Sequence, residues 1–198
     1  MTDEPSPDDM TSCKLFKLFV SVIAATTTVP MTILTDAQDC QQSPQDCSAT
    51  QVLSDFSLFN KYVTSDPNPS KFCERYDQTP LSDDGNTAQY DLVYRDADGS
   101  GDPISDTSTF EVANNTVFYV TYGSDSSTVY QLTLDYVNGD QCFVAHCNCT
   151  ETQYYLFDNP ESDILKYHEC LQKIDEYSGG SVTFLRDLSK CQQIPEKP

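Results

Sequence analysis

From Thr87 to Phe157 the chain alternates between apolar and polar residues. In T-V-Y-Q-L-T-L-D-Y, Thr128 to Tyr136, Tyr130, Leu132, Leu134 and Tyr136 fall on one side and Gln131, Thr133 and Asp135 on the other. A period of two is what a β-strand with one buried face requires. The same pattern puts Tyr90, Leu92 and Tyr94 together in T-A-Q-Y-D-L-V-Y-R, and T-V-F-Y-V-T-Y is rich in aromatic and β-branched residues. C-F-V-A-H-C and T-Q-Y-Y-L-F follow. Turn signals separate the runs: D-D-G-N, D-A-D-G-S-G-D, A-N-N, G-S-D-S and V-N-G-D. Seven or eight strands on short loops predict an antiparallel meander, hence a sandwich or a closed barrel.

Helices are predicted at either side of the strands. Ser48 to Phe59 carries apolar residues at 49, 52, 53, 56 and 59, a helical spacing with Ser48 as cap. After the last strand, Asn159 reads as a cap, Pro160 as a first-turn residue and Gly179 as a stop. The stripe between them is Ile164, Tyr167, Leu171, Ile174 and Tyr177, with Cys170 beside it. S-V-T-F-L and Cys191 follow. No internal repeat or long linker interrupts residues 38–198, which read as one domain.

The compartment follows from residues 1–37. Leu18 to Thr35 carries no charge and follows Lys14 and Lys17, the outline of a secretory leader ending at Ala37. The acidic, Pro-rich M-T-D-E-P-S-P-D-D suits no leader, and a start at Met10 removes the misfit. Five threonines and Pro30 argue against a membrane span. Of nine cysteines, Cys13 leaves with the leader and an even number remains. That combination predicts disulfides and secretion into an oxidising compartment. The nine residues Q-C-F-V-A-H-C-N-C are then stapling positions. A zinc site needs a second ligand pair, and His146 and Cys147, as strand neighbours, point to opposite faces.

Charge excludes other classes. With 11 basic against 31 acidic residues and a formal net charge of −20, the chain lacks the cations that nucleic acid or an anionic membrane would require. Acidic residues are spread along the whole length, as on a solvated surface. D-A-D-G-S-G-D, Asp96 to Asp102, imitates a calcium loop, but its twelfth position is Thr107 where a bidentate Glu belongs, so a hairpin loop is predicted. No metal or cofactor is expected. No nucleophile elbow, phosphate-cradling loop or H-E-x-x-H occurs, and no acid is spaced to pair with a base, so no enzyme is expected either. N-N-T at Asn114 and N-C-T at Asn148 are glycan acceptor sequons.

Three stretches resemble the tick salivary lipocalins, the histamine-binding and moubatin-like proteins. They are S-K-F-C-E-R-Y around Cys73, L-D-Y-V-N-G-D-Q-C-F-V, and Y-Y-L-F followed by E-C-L-Q-K-I-D-E-Y and S-K-C. The resemblance covers roughly Ser48 to Cys191 and rests on cysteines and spacing. It implies an eight-stranded antiparallel lipocalin barrel with a short N-terminal helix and a C-terminal α-helix packed on the barrel. It implies the bridges Cys73–Cys191 and Cys142–Cys170, and leaves Cys40 and Cys47 to pair with Cys147 and Cys149 in an open order. Such staples free the lumen to hold a ligand.

The resemblance also implies a site. Matched position by position, Lys71, Phe110, Gln131, Phe143 and Phe157 are its inward candidates. One strand is read two ways: burial turns Tyr130, Leu132 and Leu134 inward, whereas the match turns Gln131 inward. The chain has no Trp, and the two acidic positions of the amine-binding members are Phe143 and Tyr155 here. Without a carboxylate to pair a buried ammonium, amine binding loses its anchor. The implied function is a secreted, monomeric salivary lipocalin that sequesters a small host mediator, an eicosanoid-like lipid ahead of a biogenic amine. The alternative is a protein-binding inhibitor of host complement or haemostasis acting through the barrel loops.

Overall fold

The computed structural model describes residues 47–96, 101–148, 151–161, 168–187 and 191. The leader expected over residues 1–37, with Met10, Cys13 and Ala37, lies outside them, as do Cys40 and Cys149. Eight antiparallel strands follow a short helix, α1 (Ala49–Asp55): β1 (Leu58–Thr64), β2 (Lys71–Leu81), β3 (Thr87–Asp96), β4 (Ile104–Asn114), β5 (Val117–Tyr122), β6 (Asp125–Asn138), β7 (Cys142–Asn148) and β8 (Thr152–Asp158). Each strand pairs with the next, and β1 pairs with both β8 and β2, which closes the barrel. Closure removes the sheet edges and leaves an interior for side chains or one small ligand. Helix α2 (His168–Ser178) lies on the outside, and a two-residue strand, β9 (Thr183–Phe184), pairs with the outer end of β1.

Two apolar clusters result. The first fills one end of the lumen with Phe56, Phe59, Tyr90, Phe110, Phe118 and Phe143, sealed by Val52 and Leu53 of α1. Ser48 caps α1 by accepting from Gln51 N–H. The helix is held to the barrel end by Ala49 N–H on the Asn115 carbonyl (2.6 Å), by Gln78 Nε2 on the Leu53 carbonyl (2.9 Å) and by Tyr90 O–H on the Phe56 carbonyl (3.1 Å). The second cluster lies outside, where Cys170 and Ile174 of α2 cover Val63, Tyr136, Val144 and Leu156. Leu171 and Tyr177 of the predicted stripe pack at its border, while Ile164 and Tyr167 fall outside the described residues. Gly179 ends the helix at φ +67, and Gly180 N–H closes on the Asp175 carbonyl at 2.9 Å.

Bulges decide which side chains share a face. In β6 the register steps from Leu134↔Ala145 to Tyr136↔Val144, so Asp135 is an extra residue. One inserted residue reverses the alternation. Tyr136, predicted to face with Leu134, is therefore turned outward beneath α2, with its hydroxyl on Glu169 Oε2 at 3.0 Å. In β2 the step from Phe72↔Arg95 to Arg75↔Val93 inserts a residue at Cys73, whose φ of +55 lies in the left-handed region. Cys73 is bonded to Cys191, tying β2 to the C-terminal segment, and Cys142 is bonded to Cys170, tying β7 to α2. Cys47 and Cys147 are each in a disulfide as well.

Candidate functional site

The lumen is solid only at the α1 end. Toward the other end, the end of residues 65–70, 101–103, 123–124 and 151, it opens into a cavity of about 520 Å³. The size is within the range of small-ligand sites. Phe110, Val120, Leu132 and Phe157 form its apolar floor, and Lys71, Asp125, Glu151 and Gln153 stand at its rim.

Between floor and rim is a polar belt. Glu74 is fully buried, and its carboxylate accepts from Lys61 Nζ at 2.8 Å and from Tyr76 O–H at 2.7 Å. The Lys61 ammonium also sits 4.5 Å from the Tyr155 ring centroid. Burial opposes the charge on Lys61, but the Glu74 carboxylate, aided by Tyr155 and Tyr122, holds its pKa above the ordinary lysine value. Burial, and Glu74 after it, raise Tyr76 well above a free phenol; burial pushes Tyr122 up to about 12, so both hydroxyls stay neutral donors. The bulge at Cys73 makes this belt possible. Strict alternation would put Lys71 and Glu74 on opposite faces, and the inserted residue brings both into the lumen.

Lys71 is placed differently from Lys61. Its ammonium lies 4.4 Å from the Tyr94 ring centroid and 4.7 Å from that of Tyr122. Among the described residues it has no carboxylate within ion-pair distance and no hydrogen-bond acceptor. Ring faces attract an ammonium but take none of its three N–H donors in a directed bond. Among the described residues the cavity therefore presents one cation whose hydrogen-bonding capacity is unspent.

The predicted site residues separate on this geometry. Lys71, Phe110 and Phe157 line the cavity together. Phe143 does not: it stacks behind Phe157 at 4.6 Å between centroids and meets Phe56 edge-on at 5.0 Å, as part of the packed floor. Gln131 does not line it either. β6 turns Tyr130 and Leu132 into the cavity, so Gln131 stands on the opposite face, and burial outweighs the positional match on this strand. Tyr155, standing at a position where amine-binding relatives have an acid, lines the cavity with its hydroxyl on Gln153 Oε1 at 2.7 Å. Glu74 is the correction to the expectation of a pocket without a carboxylate. Within E-R-Y the only sequence signal for it was its distance of one residue from Cys73.

Other candidates lie outside the cavity. His146 is on the outer face with Nδ1 2.8 Å from Asp135 Oδ2, while Cys147 lines the lumen and is disulfide-bonded. Among the described residues no group of three or more His, Cys, Asp and Glu side chains is placed to hold a metal ion. Asn114 is exposed at the β4–β5 turn, with Oδ1 accepting from Thr116 N–H at 3.0 Å. Asn148 is exposed at the end of β7, next to residues 149–150 outside the described set. Asp96 and Asp102 flank a β3–β4 hairpin whose residues 97–100 are likewise outside it. No described helix is long and apolar enough to cross a membrane.

No family model and no curated protein sequence matches the chain. Its architecture does match solved structures. The serotonin complex of AM182 superposes with a TM-score of 0.58 at 17% identity, over 78% of this chain and 99% of that one. Apocrustacyanin C2 gives 0.52 at 9% identity, over 72% and 89%, and lobster apocrustacyanin A1 gives 0.51 at 8%, over 74% and 91%. At such identities the likeness is one of fold: a closed eight-stranded barrel of the lipocalin kind.

Proposed function

We propose that the chain is a binding protein that holds a small amphipathic molecule in the barrel, with an anionic head on Lys71 and an apolar tail on Phe110, Val120, Leu132 and Phe157. The observation that carries this reading is the Lys71 ammonium, set at the mouth of an apolar-floored cavity with no acceptor among the described residues. A carboxylate there gains a charge-assisted hydrogen bond in a low-dielectric setting, about 1.5–3 kcal/mol, and the tail contributes by area. Joined to the tick salivary resemblance and the leader-like residues 1–37, the reading becomes a secreted lipocalin that sequesters a host lipid mediator such as an eicosanoid. The mechanism is mass action: the ligand is withdrawn from its receptor without turnover.

Glu74 favours a second reading, an amine ligand, and AM182 is a barrel of this fold in complex with serotonin. It ranks second because the Lys61 ammonium already neutralises the Glu74 carboxylate at 2.8 Å, so an incoming ammonium meets a like charge there. Calorimetric titration of residues 38–198, expressed in an oxidising host, separates the two. Heat from a leukotriene or thromboxane analogue, weakened roughly 10–100-fold by Lys71→Gln, supports the lipid reading. Binding of histamine or serotonin that survives Lys71→Gln and is lost in Glu74→Gln replaces it. Silence towards every small molecule, with capture of a complement or clotting component, moves the function to the barrel loops.

A further inference from the structure

The rim that carries Lys71 carries more negative than positive charge. Among the described residues three carboxylates line the cavity, Glu74, Asp125 and Glu151, against two ammonium groups, Lys61 and Lys71. Glu74 and Lys61 answer each other at 2.8 Å, which leaves Asp125 and Glu151 as the other acids lining the mouth that carries Lys71, with the Asp106 carboxylate near enough to feel the Lys71 charge. Those two acids come from neighbouring connections: Asp125 begins β6, Glu151 lies between β7 and β8, and β6 pairs with β7. Hydrogen bonds from Thr128 (2.5 Å) and Ser127 (2.7 Å) keep the Asp125 carboxylate ionised, below its ordinary pKa.

A plain carboxylate answers only part of this rim. It satisfies Lys71 but adds a negative charge beside Asp125 and Glu151, and it must approach a chain of net charge −20. A head that brings a cation with its anion meets neither penalty. The rings at the rim already hold one cation, the Lys71 ammonium between Tyr94 and Tyr122, and Tyr130 stands 5.5 Å from Tyr122 in an edge-to-face pair. Aromatic faces backed by carboxylates are how a quaternary ammonium is held.

We infer that the cavity takes a single-chain zwitterionic lipid of the phosphocholine type, its anionic group on Lys71 and its ammonium between Asp125, Glu151 and the rim tyrosines. This rests on the binding reading above and narrows its ligand class. The test is calorimetry at low salt, below micelle formation, with three probes that share one acyl chain: lysophosphatidylcholine, lysophosphatidic acid and the free fatty acid. The expected result is lysophosphatidylcholine at least about tenfold tighter than the fatty acid, with the gap closing in Asp125→Asn/Glu151→Gln and narrowing as salt screens the repulsion. Lys71→Gln should weaken all three probes. A fatty acid that binds as tightly as lysophosphatidylcholine, or a gap that persists in the double variant, overturns the zwitterion assignment and leaves the anion-binding reading standing. No heat from any of the three, with the variants folded by circular dichroism, overturns both.

Discussion

Replacing Lys61 with Met tests the polar belt directly. The ammonium is 2.8 Å from Glu74 Oε1, and the two side chains are 17% and 1% exposed. Without it the Glu74 carboxylate keeps, among the described residues, the neutral Tyr76 hydroxyl at 2.7 Å. Removing one partner of a buried ion pair costs about 3–5 kcal/mol, because the remaining charge stays out of water. The belt borders a cavity that water can enter, so the lower end, about 3 kcal/mol, is expected, or roughly 6–12 °C in Tm for a domain of this size. Lys61→Met/Glu74→Gln removes both charges and should return to within about 1 kcal/mol of the parent. Thermal and urea unfolding of both variants measures this. A loss under about 1 kcal/mol in the single variant would show that water screens the pair, and the assignment of Glu74 as occupied would fail.

Other consequences are open to measurement. Burial raises Asp158 to about 6 against the pull of Arg186 and of Asn60, whose Nδ2 lies 3.2 Å away. The folded protein should therefore lose stability as pH rises from about 4 to 6, and Asp158→Asn should abolish that slope in urea titrations and gain up to about 3 kcal/mol at neutral pH. Phe157→Ala removes a ring that both lines the cavity and stacks on Phe143; a loss of about 3–5 kcal/mol in unfolding is expected together with weaker lipid binding by calorimetry. Cys142→Ala/Cys170→Ala, which opens a link across a separation of 28 residues, should cost about 3 kcal/mol. Hydrogen exchange should then show lost protection along His168–Ser178 with the barrel strands retained; uniform loss would mean that α2 is part of the barrel's own cooperative unit.

The barrel was legible wherever alternation ran unbroken. Tyr90, Leu92 and Tyr94 share the lumen as their spacing predicts, and so do Tyr130, Leu132 and Leu134. Alternation misleads after an inserted residue, and nothing in Q-L-T-L-D-Y marks one. Asp135 therefore moved Tyr136 outward unannounced, and Cys73 moved Glu74 inward beside Lys71. Glu74 and Lys61 were hidden for a second reason. Charged residues in a strand normally read as its wet face, and only their mutual pairing at 2.8 Å makes the interior tolerable for both. Phe143 was read correctly as apolar and inward-facing but one layer too high, because depth along the barrel axis depends on register and not on residue type. Gln131 failed where a positional analogy competed with burial.

Helix α1 makes the barrel a blind sac. With Val52, Leu53 and Phe56 stoppering one end, any guest enters and leaves by the same doorway, tail first and head last. Chemistry attached beyond the charged groups of the head should therefore be tolerated, since it projects into solvent, whereas branching or lengthening the tail meets the aromatic floor. A fluorophore tethered past those charges, leaving them intact, would report on occupancy.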